Sequence, residues 1–203
     1  MMMKLYYSPG TCSLAPHIVL RETGSEFDLV RVDLANGTTE SGDDYSKFNS
    51  RNQVPLLQLD SGERLTEGAV IARYIADQKP ARELLPAPET LQRYRVEVWQ
   101  NYISTELHKG FAPLFHYSFA DEVMHTFKNA LLGKYQWLDQ QLKDSKFLCG
   151  ATFTVADAYL YTVTRWATPV QLDIHALTHL QDFMQRVAQR PAVREALLAE
   201  GIR

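Results

Sequence analysis

The chain has 203 residues, of which 45% are hydrophobic and 22% charged, with a formal net charge of −3. This composition is typical of a soluble globular protein of one or two domains, and the charge gives no reason to expect a nucleic-acid or membrane partner. No apolar run approaches the roughly 18 residues of a membrane span. The N-terminus has no signal-peptide pattern and two cysteines are too few for a disulfide framework, so a cytoplasmic location is expected.

The first part of the chain predicts a small α/β unit. A strand at the N-terminus is followed by a Pro-Gly turn and a helix that starts near Ser13 and stops at Gly24, a residue suited to a helix C-terminus. The first strand–helix–strand unit implies parallel strands, and the later hairpin implies antiparallel ones. The predicted elements are strand Lys4–Tyr7, the first helix, strand Phe27–Leu34, a short helix near Asp44–Phe48, a hairpin in VPLLQLDSGERLT and helix Glu67–Asp77.

The second part of the chain predicts an all-α domain. Three prolines in QKPARELLPAPE indicate a linker, so we expect domains at 1–80 and 89–203 joined by residues 81–88. Thr154 and Asp157 have the spacing of a helix N-terminal capping box. The predicted helices run from Leu91 to about Tyr117, from Val123 to Leu142, from Thr154, from Leu177 to Arg190 and from Pro191 to Glu200.

Cys12 lies between the Pro-Gly turn and the first helix. We expect it in the first helical turn, where unpaired N–H groups and the helix dipole favour a thiolate. The element order and this cysteine indicate a thioredoxin-like domain. Ala15 stands where a dithiol oxidoreductase has its second cysteine, so a second thiol has to come from a cofactor. The alternative is a small buried side chain.

Pro55 precedes the apolar strand LLQL. In thioredoxin-like domains a cis-proline occupies this place opposite the helix cysteine, and the backbone of Val54 is then free to pair with a peptide ligand. An ordinary trans-proline that opens a strand is the alternative.

The whole chain resembles the cytosolic glutathione transferases, and most closely their bacterial beta class. Five segments in order carry the resemblance: PGTCSLAPHIVLRE, NQVPLLQLDSG, LTEGAVIARYIAD, NYISTELHKGFAPLF and FTVADAYLYTVTRW. The resemblance implies a homodimer that binds glutathione as co-substrate, needs no metal and conjugates small hydrophobic electrophiles.

The resemblance implies a glutathione site in the first domain. Cys12 lies beside the glutathione sulfur, the backbone of Val54 pairs with the cysteinyl unit, and Glu67 with Gly68 holds the γ-glutamyl end. A capping acid is the alternative role of Glu67. Many relatives carry a lysine where Gly37 stands, and no lysine lies between Lys4 and Lys47. We therefore expect weaker glutathione binding than in those relatives.

The resemblance also implies roles in the helical domain. His108 faces the cysteine and exchanges a proton with the thiol. Asn101 and Thr105 lie on about the same helix face as His108 and approach glutathione, some of these residues from the partner subunit. Lys109 helps to hold a carboxylate. On spacing alone, all four are polar surface residues. The six histidines show no metal-ligand cluster.

An apolar acceptor pocket is expected from side chains that could equally belong to the core. Tyr7 is also a reserve candidate for activating glutathione, because animal classes use a tyrosine hydroxyl near this position. The candidate pocket residues are Tyr7, Phe111, Leu114, Phe115, Tyr117 and Trp166.

Two other functions stay open: a glutathione-dependent thiol–disulfide reductase or peroxidase that uses Cys12 as nucleophile, and a non-catalytic protein that binds hydrophobic ligands.

Overall fold

The computed structural model describes residues 2–115 and 119–202, so the predicted pocket residue Tyr117 lies outside the described residues. Contacts within the chain divide it into two compact units. One comprises Met1–Glu83 with Arg190–Arg203, and the other comprises Leu84–Gln189.

The first unit contains a five-stranded mixed sheet. Its elements in chain order are β1 (Met3–Tyr7), α1 (Leu14–Thr23), β2 (Phe27–Asp33), β3 (Thr38–Thr39), β4 (Leu56–Gln58), β5 (Arg64–Thr66) and α2 (Gly68–Gln78). The strand order is β3-β2-β1-β4-β5. β1 is parallel to β2 and antiparallel to β4, and β4 is antiparallel to β5. The predicted thioredoxin-like arrangement is confirmed.

Helix α1 is buried along the face on which its apolar residues recur at helical spacing. Leu14, Ile18 and Val19 are at most 1% exposed. The helix ends at Gly24, whose φ of 65° is the left-handed conformation that glycine adopts most easily. Cys12 lies one residue before the N-cap Ser13, so the predicted position in the first helical turn was wrong by two residues.

A second apolar cluster fixes the loop before β4. Tyr6, Val32, Tyr45 and Val54 pack together in this cluster. The hydroxyl of Tyr45 donates to the carbonyl of Gln53 at 2.9 Å. The short helix predicted near this tyrosine is a single 3₁₀ turn, Tyr45–Lys47. The loop therefore holds the backbone that leads into Val54.

The main elements that the structure describes in the second unit are helical. The helix predicted from Leu91 continues as α3, then a π-helical segment, a one-turn helix α4 and a 3₁₀ turn. The elements are α3 (Leu91–Tyr102), the π segment (Ile103–His108), α4 (Lys109–Phe111), the 3₁₀ turn (Ala112–Phe115), α5 (Asp121–Leu142), α6 (Val155–Thr164) and α7 (Thr178–Ala188).

Helix α3 exposes an apolar stripe of residues that recur every three or four positions in the sequence. Leu91, Tyr94 and Val98 are 62%, 56% and 66% exposed, respectively. Val96 and Ile103 are fully buried instead. The stripe predicts a helix correctly, but it does not form the core-facing side within this chain. We call Leu91, Tyr94 and Val98 the α3 stripe.

The predicted capping box is present at the start of α6. The Asp157 carboxylate is fully buried and accepts hydrogen bonds from the backbone N–H groups of Thr154 and Leu148, each at 2.8 Å. The Thr154 hydroxyl donates to the same carboxylate at 2.8 Å. Because all ten residues of α6 are buried, this carboxylate anchors the most buried helix of the unit.

The last helix, α8 (Pro191–Glu200), packs on α1 in the first unit. The predicted ranges of 1–80 and 89–203 assigned it to the helical domain. The domain ranges stay a prediction, but residues 190–203 pack with the first unit and not with the helical one. The physical reason is a buried pair of side chains: Glu200 on α8 and His17 on α1 contact each other at 2.9 Å.

Within residues 2–115 and 119–202, every helix falls short of the length and apolar character that crossing a bilayer requires.

We expect Asp157→Ala to lower the free energy of unfolding by about 3 kcal/mol, because two buried N–H groups lose their acceptor. Urea unfolding followed by circular dichroism measures this loss. Asp144→Ala, at an exposed position, is the control and should change stability by less than about 0.5 kcal/mol. Equal stability of the two variants would contradict the anchoring role.

Candidate active site

The turn that carries Cys12 is held by its own hydroxyl groups. Thr11 Oγ1 and Ser13 Oγ both donate to the Ser8 carbonyl, at 2.9 Å and 3.2 Å. The two hydroxyls also contact each other at 2.8 Å. These bonds close the turn between β1 and α1, and Cys12 lies half-buried at its end.

Cys12 lies against the strand entrance that the sequence predicted. Its Sγ donates to the Val54 carbonyl at 3.4 Å, and the Val54–Pro55 peptide bond is cis. An added Cβ at Gly68 would lie 3.5 Å from Pro55 Cγ and 4.0 Å from the Cys12 carbonyl oxygen. The structure therefore brings Cys12, Val54, Pro55 and the start of α2 together.

Glu67 occupies an unusual backbone conformation at the start of α2. Its φ of 67° lies in the left-handed region, which is uncommon for a residue with a side chain and often marks functional sites. The side chain forms no capping hydrogen bond. Instead the carboxylate accepts from Arg51 Nη2 at 2.8 Å, and it is 64% exposed. The simple capping role is thus not observed, and the carboxylate is accessible to a ligand cation.

A buried polar chain supports the same turn from α8. Glu200 Oε2 accepts from the backbone N–H of Gly10 at 3.0 Å, and Oε1 contacts His17 Nδ1 at 2.9 Å. Arg21 Nε donates to His17 Nε2 at 3.3 Å. Since Nε2 accepts, Nδ1 carries the proton and donates to Glu200. The side chains of His17 and Glu200 are 0% exposed.

Tyr7, the reserve candidate, is buried at the end of β1. It is 7% exposed, and its ring centroid lies 6.2 Å from that of His17. Burial raises the pKa of its phenol, and the charges of Glu200 and Glu40 raise it further. The hydroxyl is therefore kept protonated, so it is suited to donate a hydrogen bond to a thiolate and not to act as a base.

The side chain of Asn52 lies close to the backbone at Gly37. Gly37 has φ 65°, and an added Cβ would lie 3.3 Å from Asn52 Nδ2. The Asn52 amide thus occupies the space in which a longer side chain at residue 37 would begin. A groove of about 550 Å³ lies nearby along the end of β2 and is lined by Ser8, Arg31, Val32, Asp33, Leu34, Ala35, Thr39 and Glu40.

In the second unit, His108 ends the π segment and contacts two aromatic side chains. Its Nδ1 lies 2.7 Å from the hydroxyl of Tyr159 on α6. The Trp166 ring meets the imidazole edge-on, with the centroids 4.9 Å apart. His108 itself is half-buried. The imidazole is thus held by the Tyr159 hydroxyl at Nδ1 and by the edge of the Trp166 ring.

The π segment changes the register of the predicted polar residues. Asn101, Thr105 and Lys109 are exposed, and the Thr105 hydroxyl donates to the Asn101 carbonyl at 3.1 Å. A π turn holds more residues than an α turn, so spacing at 3.6 residues per turn does not place Thr105 and His108 on one face. Their predicted roles stay predictions. Such turns occur often at functional sites.

The predicted pocket residues of this unit divide into core and surface. Phe111 and Leu114 are at most 1% exposed, so they belong to the core. Phe115 is 41% exposed, and Trp166 is half-buried with its ring 5.7 Å from that of Phe115. Among the described pocket candidates of this unit, Phe115 and Trp166 are the two that expose apolar surface.

Three functional candidates were missed in the sequence. Tyr159, Glu200 and His17 contact groups that are distant along the chain, and none belongs to a local pattern. Glu200 resembles any helix-terminal acid, and Tyr159 resembles any apolar-face tyrosine. A buried carboxylate needs a partner, but the sequence does not show which helix-terminal acid is buried.

Among the described residues, histidine, cysteine and carboxylate side chains form no group of three or more that could hold a metal ion.

Two family models match the chain. The model described as "Glutathione S-transferase, N-terminal domain" covers residues 1–77, and "Glutathione S-transferase, C-terminal domain" covers residues 102–191. The chain is 51% identical over 201 residues to "Glutathione S-transferase GstA" of Escherichia coli O157:H7, which covers 99% of this chain and 100% of that protein.

The chain is also similar to solved structures of glutathione S-transferases. A sphingomonad glutathione S-transferase complexed with glutathione has a TM-score of 0.94 and 45% identity, over 98% of this chain and 100% of that one. A beta class glutathione S-transferase of Sphingomonas chungbukensis has a TM-score of 0.94 and 46% identity, with the same coverage of 98% and 100%.

We expect iodoacetamide to alkylate Cys12 faster than Cys149. Burial raises the pKa of the Cys149 thiol to about 11, so its reactive thiolate is scarce at neutral pH. Peptide mass spectrometry over a time course at pH 7.5 measures both rates in one sample. Equal rates, or faster reaction at Cys149, would count against a functional Cys12.

Proposed function

This chain belongs to the glutathione S-transferase family, and from this premise we propose that it conjugates the glutathione thiolate to small hydrophobic electrophiles. The single observation that carries the proposal is the contact of Cys12 Sγ with the Val54 carbonyl, beside a cis-proline and the start of α2. Glutathione needs a backbone pair, an ammonium acceptor and a polar group near its sulfur, and the first unit offers all three.

The glutathione backbone pairs with Val54 in strand fashion. The exposed Glu67 carboxylate takes the γ-glutamyl ammonium, and backbone N–H groups at Gly68 take the adjacent carboxylate. Since residue 68 lacks a hydroxyl, the anion relies on the N–H groups alone. In the helical unit, Asn101, Thr105 and Lys109 are available for further polar contacts with glutathione.

The reaction proceeds by thiolate addition. His108 takes the thiol proton at its second ring nitrogen, and Cys12 stabilises the glutathione sulfur by hydrogen bonding. The sulfur lone pair then forms a bond to the electrophilic carbon, and the leaving group departs with the electrons of its own bond. Phe115 and Trp166 offer apolar surface for the acceptor. The orientation and the desolvation of the thiolate accelerate the reaction.

The protein acts as a homodimer in the cytoplasm. The α3 stripe is an exposed apolar surface on a helix whose other face is buried, and a second copy of the chain is its occupant. Both cysteines are free thiols, which suits a reducing compartment.

We expect the wild-type protein to conjugate glutathione to chlorodinitrobenzene with saturable kinetics. Cys12→Ala should lower kcat/KM by about 10–100-fold, because a hydrogen bond to a charged sulfur is lost. Cys149→Ala is the matched control and should retain activity. Conjugation that survives Cys12→Ala would make Cys12 ancillary. Glutathione binding without any wild-type turnover would favour the disulfide reductase, which a stable Cys12–glutathione adduct would then identify.

We expect glutathione and its glycyl monoethyl ester to bind with dissociation constants within about threefold of each other. No lysine lies between Lys4 and Lys47 to form a charge-assisted hydrogen bond with the glycyl carboxylate. Such a bond would make glutathione bind about tenfold or more tightly than the ester. Isothermal titration calorimetry measures both constants. A preference for glutathione above about tenfold would show that another cation recognises the carboxylate.

We expect Val98→Arg to convert the dimer to a monomer, because it places a charge in the α3 stripe. Leu198→Arg, at an 82% exposed position on α8, is the control and should leave the dimer intact. Sedimentation velocity at micromolar protein concentration separates the two states. A dimer in both variants would show that the α3 stripe lies outside the interface.

A further inference from the structure

The hydroxyl of Tyr159 lies 2.7 Å from Nδ1 of His108. We propose that Tyr159 is a positioning residue that accepts a hydrogen bond from His108 Nδ1–H and so leaves Nε2 unprotonated to receive the proton of the thiol. This proposal rests on the proposed function, since it assigns a partner to the base of that reaction.

The surroundings of Tyr159 hold its hydroxyl in a fixed place. Tyr159 is 6% exposed and lies on α6, whose ten residues are all buried and whose start is held by the Asp157 carboxylate. A buried hydroxyl has few alternative positions. It is therefore a fixed partner for a side chain that ends an irregular helical segment.

The His108 ring is confined on two sides. The imidazole and the Tyr159 ring are nearly perpendicular, at 88° with centroids 5.9 Å apart. Trp166 packs edge-on at 4.9 Å and 72°. Rotation of the imidazole about its own axis would separate Nδ1 from the hydroxyl, so the hydrogen bond selects one ring orientation.

The direction of the hydrogen bond follows from the proton that His108 has to receive. With Nδ1–H donating to Tyr159, the neutral ring has its lone pair at Nε2. When Nε2 takes the thiol proton, Nδ1–H still donates to the same oxygen. The bond is thus kept in both protonation states, and no group has to reorient during proton transfer.

The opposite arrangement would work less well. If the Tyr159 hydroxyl donated to Nδ1, the proton of the neutral ring would lie on Nε2, and the ring could not accept a second proton there. Protonation at Nδ1 would first have to break the bond to Tyr159. The position of one hydroxyl therefore decides which nitrogen acts as base.

The test compares Tyr159→Phe with Tyr161→Phe. Tyr161 lies on the same helix, is 2% exposed and has its hydroxyl 3.2 Å from Arg165 Nη1, so it is a matched buried tyrosine that does not contact His108. Each variant removes one oxygen and keeps the ring.

We expect Tyr159→Phe to lower kcat for chlorodinitrobenzene conjugation by about tenfold with little change in KM for glutathione. Tyr161→Phe should change neither. In a His108→Asn background, Tyr159→Phe should lower kcat by less than about twofold, because its effect runs through the imidazole. An equal loss of kcat in the wild-type and His108→Asn backgrounds would overturn the proposal, as would full activity of Tyr159→Phe.

Nitrogen NMR of the imidazole gives a readout independent of catalysis. The His108 signals are assigned by their loss in His108→Asn. We expect the Nδ1–H tautomer in the wild type and in Tyr161→Phe, and a mixture with the Nε2–H tautomer in Tyr159→Phe. An Nε2–H tautomer in the wild type, or no change in Tyr159→Phe, would refute the proposal. If the wild type does not conjugate glutathione, the proposed function fails while these spectra still decide the hydrogen bond.

Discussion

The buried carboxylate of Glu200 joins the last helix of the chain to the turn that carries the candidate cysteine. One oxygen accepts the Gly10 N–H and the other contacts His17, with both side chains fully shielded from solvent. A buried charge is stable only with such partners. Cys12 follows Gly10 by two residues, so the position of its sulfur depends on helix α8. This is why residues at the end of the sequence pack with the first unit.

In the proposed reaction, one unit would bind glutathione and the other would provide the base. The thioredoxin-like unit supplies fixed backbone: the Val54 carbonyl beside Cys12 and the start of α2 at Gly68. The helical unit supplies a titratable ring at His108, held by Tyr159 and Trp166. A peptide ligand is best recognised by backbone, which is rigid, whereas proton transfer needs a side chain near neutral pKa. The first unit therefore suits binding through its fixed backbone, and the helical unit suits proton transfer through its imidazole.

The sequence predicted the structural features that depend on neighbouring residues, such as helix ends and the start of a strand. Gly24 ends α1, Thr154 and Asp157 cap α6, and Pro55 opens its strand, because each depends on neighbouring residues. The π segment had no such signal. The α3 stripe was assigned correctly to a helix, but periodicity is the same whether an apolar face meets the core or another chain. Tyr159 and Glu200 depend on contacts between distant residues, so a single sequence could not reveal them.

If the site activates glutathione as we propose, the protein lowers the pKa of the bound thiol, and the ultraviolet absorbance of the bound thiolate tests this most directly. Difference spectra with and without glutathione, recorded across pH, remove the contribution of the protein's own thiols. The account predicts that bound glutathione ionises at distinctly lower pH than free glutathione, and that Cys12→Ala and His108→Asn each move this ionisation back toward that of the free thiol. Bound glutathione that ionises at the same pH as the free thiol would contradict the account.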